Sequence, residues 1–271
     1  MPRRARPPVV LTVAGSDPGG GAGIQADLKT FHAFGCYGEA VLVALTAQNT
    51  RGVSGVHAVP VPFVVEQLER VLEDIPPRAA KTGMLATAAL VEAVAGVLSA
   101  RGVRRLVVDP VMVATSGDRL LDADAVQAVR ERLLPLAAVV TPNGPEAEIL
   151  TGMEIGEDEE AAVEAGRRIL AMGAAAALVK GGHGRGPRVA DVLVERRKVT
   201  VYRHRRLRTR STHGTGCTLS AALAAGLARG LPPQAAAREA VEYVHRAIRA
   251  APGFGRGHGP VNHLVRARGT R

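Results

Sequence analysis

Short apolar runs alternate along the chain with longer segments of helical period. Val9 to Ala14 is a β-branched run of strand length, suited to burial on both faces. Beyond a glycine-rich loop, Ile24, Leu28, Phe31 and Phe34 repeat at helical spacing, and Gly35 closes that helix. Val41 to Leu45 reads as a second strand that runs into the polar stretch Thr46 to Thr50. The alternation then continues. Helices are expected over Pro62 to Ile75, Thr87 to Ala100, Ala123 to Leu134 and Glu159 to Met172. Between them, strands are expected over Ala79 to Thr82, Arg105 to Val108, Ala137 to Thr141 and Ala176 to Lys180. Val189 to Val194 and Lys198 to Tyr202 resemble a hairpin. Two helices close the chain, the small-residue run Leu219 to Gly230 and the stretch Pro233 to Ala250.

Strands that alternate with helices predict a three-layer α/β domain around a mostly parallel sheet. No linker or composition shift divides the chain, so residues 9–265 read as one domain, between a basic tail (1–8) and a short C-terminal tail (266–271). Ligands of such sheets bind at the carboxyl ends of the strands. The loops carrying Asp17, Gln48, Met84, Asp109, Asn143, Lys180 and His183 all follow predicted strands, which places them on one rim.

Composition narrows the partners. Aromatic residues make up only 3% of the 271 positions and there is no Trp, so single-stranded nucleic acid would find few stacking surfaces. The net charge is +10, yet four lysines leave 31 of the 35 basic residues as arginine. This looks like a coding preference rather than a surface selected for nucleic acid, and it marks each remaining lysine as a candidate for chemistry that arginine cannot do. Cys36 and Cys217 lie 181 positions apart, with no metal spacing and no disulfide framework, which fits a reducing cytoplasm. Met1 to Pro8 lacks signal-peptide form and is expected to fray. No run approaches the roughly 18 apolar residues of a membrane span.

The densest chemistry lies in His213-Gly214-Thr215-Gly216-Cys217-Thr218-Leu219-Ser220. A glycine-bracketed turn that opens a helix aims free N–H groups at one spot, at the positive end of the helix dipole, and such a spot takes an anion. Cys217 falls in that first turn, where its thiol pKa is expected to drop. An ordinary helix cap is the alternative. Gly21-Ala22-Gly23-Ile24-Gln25-Ala26 matches a dinucleotide fingerprint, but six residues separate it from the strand and no acidic residue ends a second strand at the required distance. Asn143 and Glu146, three apart, read first as a helix-capping pair; a network of Mg²⁺, phosphate and water is the other reading. Asp109 can serve that network or cap a turn. Lys180 ends a buried strand with a cation suited to a transferring phosphoryl group. The basic stretch Arg203 to Arg210 reads as a solvated face, with RNA contact as the alternative.

These stretches together resemble the hydroxymethylpyrimidine/phosphomethylpyrimidine kinases of thiamine biosynthesis, members of the ribokinase-like superfamily. The resemblance rests on Ala14 to Pro18, Gly20 to Thr30, Ala47 to Thr50, Lys81 to Leu85, Asp109 to Met112, Thr141 to Asn143, Lys180 to His183, His213 to Ala222 and Gly259 to His263, all in one order. It implies a ribokinase-like α/β/α sandwich, ATP and Mg²⁺ as cofactors, and a homodimer. The implied reaction is phosphorylation of 4-amino-5-hydroxymethyl-2-methylpyrimidine to its monophosphate and then to the diphosphate.

By the same resemblance Gly15 and Gln48 hydrogen-bond the pyrimidine, Ala22, Val43, Met84 and Val111 line its pocket, and Asp27 lies beside it. Gly214, Thr215 and Gly216 form an anion hole, Cys217 stands where related sugar kinases carry an aspartate base, and Lys180 stabilises phosphates. Thr141, Asn143 and His213 lie at the nucleotide, while Asp109 and Glu146, with Asn143, organise Mg²⁺ largely through water. Gly19 and Gly144 depart from the usual Ser and Leu of the family pattern. The nearest alternative is a pyridoxal kinase of the same superfamily, from which Gln48 and Met84 point away. A basic nucleotide- or RNA-binding protein is the non-enzyme alternative.

Overall fold

The computed structural model describes residues 6–112, 123–182, 184 and 186–267. His183, one of the rim residues expected from sequence, lies outside them. The described strands are β1 (Val9–Ser16), β2 (Tyr37–Asn49), β3 (Gly52–Ala58), β4 (Ala79–Thr82), β5 (Leu106–Val108), β6 (Ala137–Val140), β7 (Ala176–Val179), β8 (Arg188–Glu195) and β9 (Lys198–Arg205). They form one sheet in the order β3-β2-β1-β4-β5-β6-β7-β8-β9. From β2 to β7 neighbours pair parallel, and β3, β8 and β9 add antiparallel edges.

Period two explains why the central strands read as unbroken apolar runs. Leu11, Ala80, Val108, Val140 and Ala177 pack into the core on one face, beneath α2 (Val61–Asp74), α3 (Ala88–Ala100) and α4 (Ala123–Ala128). Their neighbours Val10, Ala79, Val107, Val139 and Ala176 face the opposite core, with α1 (Gly23–Ala33), α7 (Thr215–Ala228) and α8 (Pro233–Arg249). Both faces are covered, as a parallel sheet requires. A third cluster joins α5 (Gly144–Thr151) and α6 (Glu159–Ala171) to Val179, Val192 and Val194. The small side chains of α7 let it run close under β1, β4 and β5, and Gly226 admits Ala236 of α8.

Several boundaries differ from expectation. The predicted second strand stops at Leu45, whereas β2 continues to Asn49 and pairs with β3, which was not anticipated. The continuation lies beyond the body of the sheet, so its exposed positions carry no apolar run to reveal it. The expected helix Ala123 to Leu134 breaks after Ala128 into a π-turn (Val129–Leu133) and a 3₁₀ turn (Leu134–Leu136). Pro135, which cannot donate to an α-helical ladder, stands at that break. At the C-terminus the chain stays packed through Ala267, two residues into the stretch set aside as a tail. No helix among the described residues is long and apolar enough to cross a membrane.

Candidate active site

The carboxyl ends of the strands and the N-termini of α1 and α7 enclose a cleft of about 670 Å³. Gly15, Ala22, Gln48, Met84, Asp109, Val111, Asn143, Glu146, Lys180, His213, Gly214, Thr215, Gly216 and Cys217 all line it. Three expected residues do not. Val43 is fully buried in the sheet core; Asp27 and Thr141 are also fully buried, each behind a residue that does face the cleft. The reason is register. Val43 sits on the inward face of β2, Asp27 turns under the sheet to meet Lys81, and Thr141 hydrogen-bonds Asp109.

Two glycine loops meet at the cleft floor. Asp17 accepts backbone N–H bonds from Gly19, Gly21 and Ala22 at 2.8, 3.0 and 2.8 Å, and its Oδ2 lies 2.8 Å from Nε2 of His213. Burial alone would raise the Asp17 pKa, but hydrogen bonds from His213, Gln48 and Ala22 outweigh it and hold the carboxyl well below the usual carboxylate range. Gly214, the N-cap of α7, takes a left-handed φ of 79°. A Cβ there would overlap the Gly21 carbonyl oxygen, so the two loops touch only because both lack side chains. A Cβ on Gly15 would likewise sit 2.7 Å from the Met84 methyl.

Charge gathers beside the first turn of α7, where a Cβ on Gly216 would lie 3.4 Å from Lys180 Nζ. Lys180 Nζ donates to Asp109 Oδ1 at 3.1 Å and lies 3.7 Å from Glu146 Oε2. Ser220 and Thr141 hydroxyls also donate to Asp109, each at 3.1 Å. Burial raises the Asp109 pKa, yet Lys180 and Lys81 overcome it and hold the group ionised. Glu146 goes the other way. Burial pushes it up to about 7; Lys180 opposes this and Asp109 adds to it. Asn143 and Glu146 do form a full capping box at the start of α5, at 2.8 and 2.9 Å. The capping reading therefore describes the local structure, and the same carboxylate also faces Lys180.

Among the described residues no group of three or more His, Cys, Asp or Glu is poised to hold a metal directly. Two buried carboxylates sharing one ammonium suit an ion that keeps its waters and touches few protein oxygens, so the donor set fits Mg²⁺.

Cys217 corrects an expectation. Its thiol pKa is not lowered at the helix start. Burial pushes it up to about 11, against Lys81, which lowers it; Asp27 and Asp109 raise it further, and the Gly23 N–H lowers it slightly. The dipole argument considers a fully solvated first turn, whereas here the thiol is half-buried at the cleft floor, near Asp27 and Asp109.

A further arm of the cleft went unnoticed in sequence. Val189, His204, Leu207, Val244, His245 and Ile248 make an apolar slot with two imidazoles at its edge, their ring centroids 5.1 Å apart. Burial, His245 and Arg206 hold His204 neutral, its pKa pushed down to about 4. The only advance signal was the hairpin itself. Three of the five arginines there are tied down: Arg203 pairs with Glu159, Arg206 donates to the Gly182 and Gly186 carbonyls at 2.7 Å each, and Arg210 to that of Arg256 at 3.0 Å.

Comparison with known proteins follows this geometry. Residues 17–262 match the family described as phosphomethylpyrimidine kinase. The chain is 50% identical over 260 residues to the hydroxymethylpyrimidine/phosphomethylpyrimidine kinase of Rhizobium meliloti, covering 95% of this chain and 97% of that protein. It is 52% identical over 262 residues to the thiamine biosynthesis bifunctional protein ThiED of Geobacter sulfurreducens; this covers 97% of the chain but only about half (53%) of that relative's length. Among solved structures, pyridoxal kinase from Staphylococcus aureus in complex with ADP superposes with a TM-score of 0.90 at 34% identity, covering 97% of both chains.

Proposed function

The chain belongs to the phosphomethylpyrimidine kinase family, and on that premise we propose that it uses ATP to phosphorylate hydroxymethylpyrimidine and then its monophosphate, for thiamine biosynthesis. The observation that carries this reading is the convergence on one cleft of the Gly214–Gly216 turn, Cys217, and the Lys180, Asp109 and Glu146 group.

A primary alcohol is a poor nucleophile, so its proton needs an acceptor as the oxygen attacks the γ-phosphorus. Cys217 lines the cleft floor and is the group placed for that role; with its thiol raised to about 11, it accepts the proton in its minor thiolate form. The amides of the α7 first turn face the charge that develops on the transferring phosphoryl group, and Lys180 offsets it from beside Gly216. Asp109 and Glu146, with Asn143, would hold Mg²⁺ largely through water; the ion supplies charge neutralisation on the phosphates. The apolar slot of Val189, Val244 and Ile248 suits the flat base of the nucleotide, with Gly15, Gln48 and Met84 left for the pyrimidine.

The same reading includes a homodimer and a cytoplasmic location, where ATP is at hand. The β2–β3 extension leaves Leu45 and Val56 exposed (46% and 49%) at the sheet edge, a face that a second copy would cover. Pyridoxal kinase activity is the second reading, favoured by the likeness to the Staphylococcus aureus enzyme. Turnover of ATP with hydroxymethylpyrimidine, its monophosphate, pyridoxal and ribose tests both. The proposal expects turnover of both pyrimidines, with pyridoxal slow and ribose inert. Turnover of pyridoxal alone would transfer the chain to the second reading.

A further inference from the structure

Lys81 is one of only four lysines in the chain, and the reaction proposed above gives it no part. Its side chain is fully buried, yet it reaches the cleft wall. Thr12 and Lys81 are register partners on β1 and β4, and both turn toward the face covered by α1 and α7. There they meet one carboxylate oxygen: Thr12 Oγ1 donates to Asp27 Oδ2 at 2.6 Å, and Lys81 Nζ to the same atom at 2.9 Å. Asp27 stands one helical turn after Gly23, the first residue of α1, which lines the cleft together with Cys217. α7, with Cys217 in its first turn, packs on both α1 and β4. A fixed ammonium, braced from a strand and a helix, therefore lines the same cleft as the thiol.

We propose that Lys81 is the positioning residue of Cys217: its ammonium, locked by Asp27 and Thr12, supplies the positive charge that the thiolate requires at the cleft floor. The inference rests on the reading of Cys217 as proton acceptor. Other charged groups also act on this thiol. Asp27 and Asp109 disfavour the thiolate, while Lys180, beside Gly216, attracts it. Lys81 is the strongest favourable charge among them, and Asp27 keeps it protonated in spite of its burial. The proton passes from the substrate hydroxyl to the Cys217 sulfur while the hydroxyl oxygen bonds to phosphorus and ADP leaves; Lys81 keeps its own protons throughout. A lysine suits this place because a compact ammonium fits where a planar guanidinium would not.

The test is the rate of iodoacetamide alkylation of Cys217 against pH, without substrate, in a Cys36→Ala background. Lys81→Met is expected to slow alkylation at pH 8 about ten-fold or more, the factor that one unit of thiol pKa carries. Asp27→Asn, which leaves the ammonium without its counter-charge, is expected to speed it. If Lys81→Met does not fold because Asp27 is stranded, Lys81→Met with Asp27→Leu removes the pair together, and slower alkylation is again expected. A purely structural pair would loosen the thiol's surroundings in either variant, so faster alkylation in both, or an unchanged profile in variants that melt like the parent, overturns the proposal. Since no kinase assay enters, failure of the proposed reaction would show separately, as normal thiol behaviour without turnover.

Discussion

His213 Nε2 lies 2.8 Å from Oδ2 of Asp17, joining the loop that leaves β1 to the loop that opens α7. The two residues are 196 positions apart, and the contact fixes where the N-terminal amides of both helices point. Asp17 is the hub of this joint, since it also caps its own loop through three backbone N–H groups.

Asp17→Asn should lower stability at neutral pH by about 2 kcal/mol, the scale of hydrogen bonds to a charged group. The sign follows from linkage. The folded pKa lies below the ordinary value of 3.8, so the contribution is complete above that value and is lost as pH falls beneath it. Urea melts of the parent and the variant should differ most from pH 5 upward and converge in acid.

Gly214→Ala should remove activity and lower the melting temperature sharply, because its Cβ meets the Gly21 carbonyl as well as adopting a strained φ. Gly230 offers the control, with a φ of 88° and open space around it. Gly230→Ala should therefore cost only the left-handed strain of about 1 kcal/mol. Thermal melting of both variants checks the contrast.

Lys180→Met should reduce kcat about 10²–10³-fold, the range seen when one preorganised group facing developing charge is lost. It should also lower the melting temperature, since Asp109 and Glu146 would then share a buried wall without an ammonium. Steady-state kinetics at saturating ATP would separate the kcat loss from weaker nucleotide binding.

Cys217→Ser should lose most turnover of the alcohol while keeping nucleotide binding, because a serine hydroxyl ionises far less readily than even a raised thiol. Unchanged turnover of hydroxymethylpyrimidine would remove Cys217 from the chemistry. The monophosphate, already an anionic acceptor, should suffer less.

The parts of this fold that the sequence discloses are those where one residue type decides one environment. Val10 and Leu11, or Val107 and Val108, enter opposite cores, and that double burial makes a strand legible as an apolar run. Strand β3 has no such burial, and its exposed Val56 and His57 carry little periodic signal. In the cleft, Asp109, Asn143 and Lys180 were legible because they follow strands directly. Val244 and Ile248 were not, since an apolar helix face that lines a slot has the same pattern as one that fills a core. The resemblance places Asp27 and Val43 at the pyrimidine, but side-chain direction within the layers leaves both fully buried and off the cleft lining. The Cys217 thiol departs from expectation for a related reason: a helix start is a local feature, whereas burial and the charges of Lys81, Asp27 and Asp109, distant in sequence, govern this thiol.

The central claim is that one cleft performs two successive transfers to one pyrimidine. Phosphorus NMR of a single reaction with hydroxymethylpyrimidine, excess ATP and Mg²⁺ tests it most directly. The account predicts a monophosphate resonance that rises and then gives way to a diphosphate pair, with two ADP formed per pyrimidine. A monophosphate that accumulates without further change, or ATP that stays intact, would contradict it.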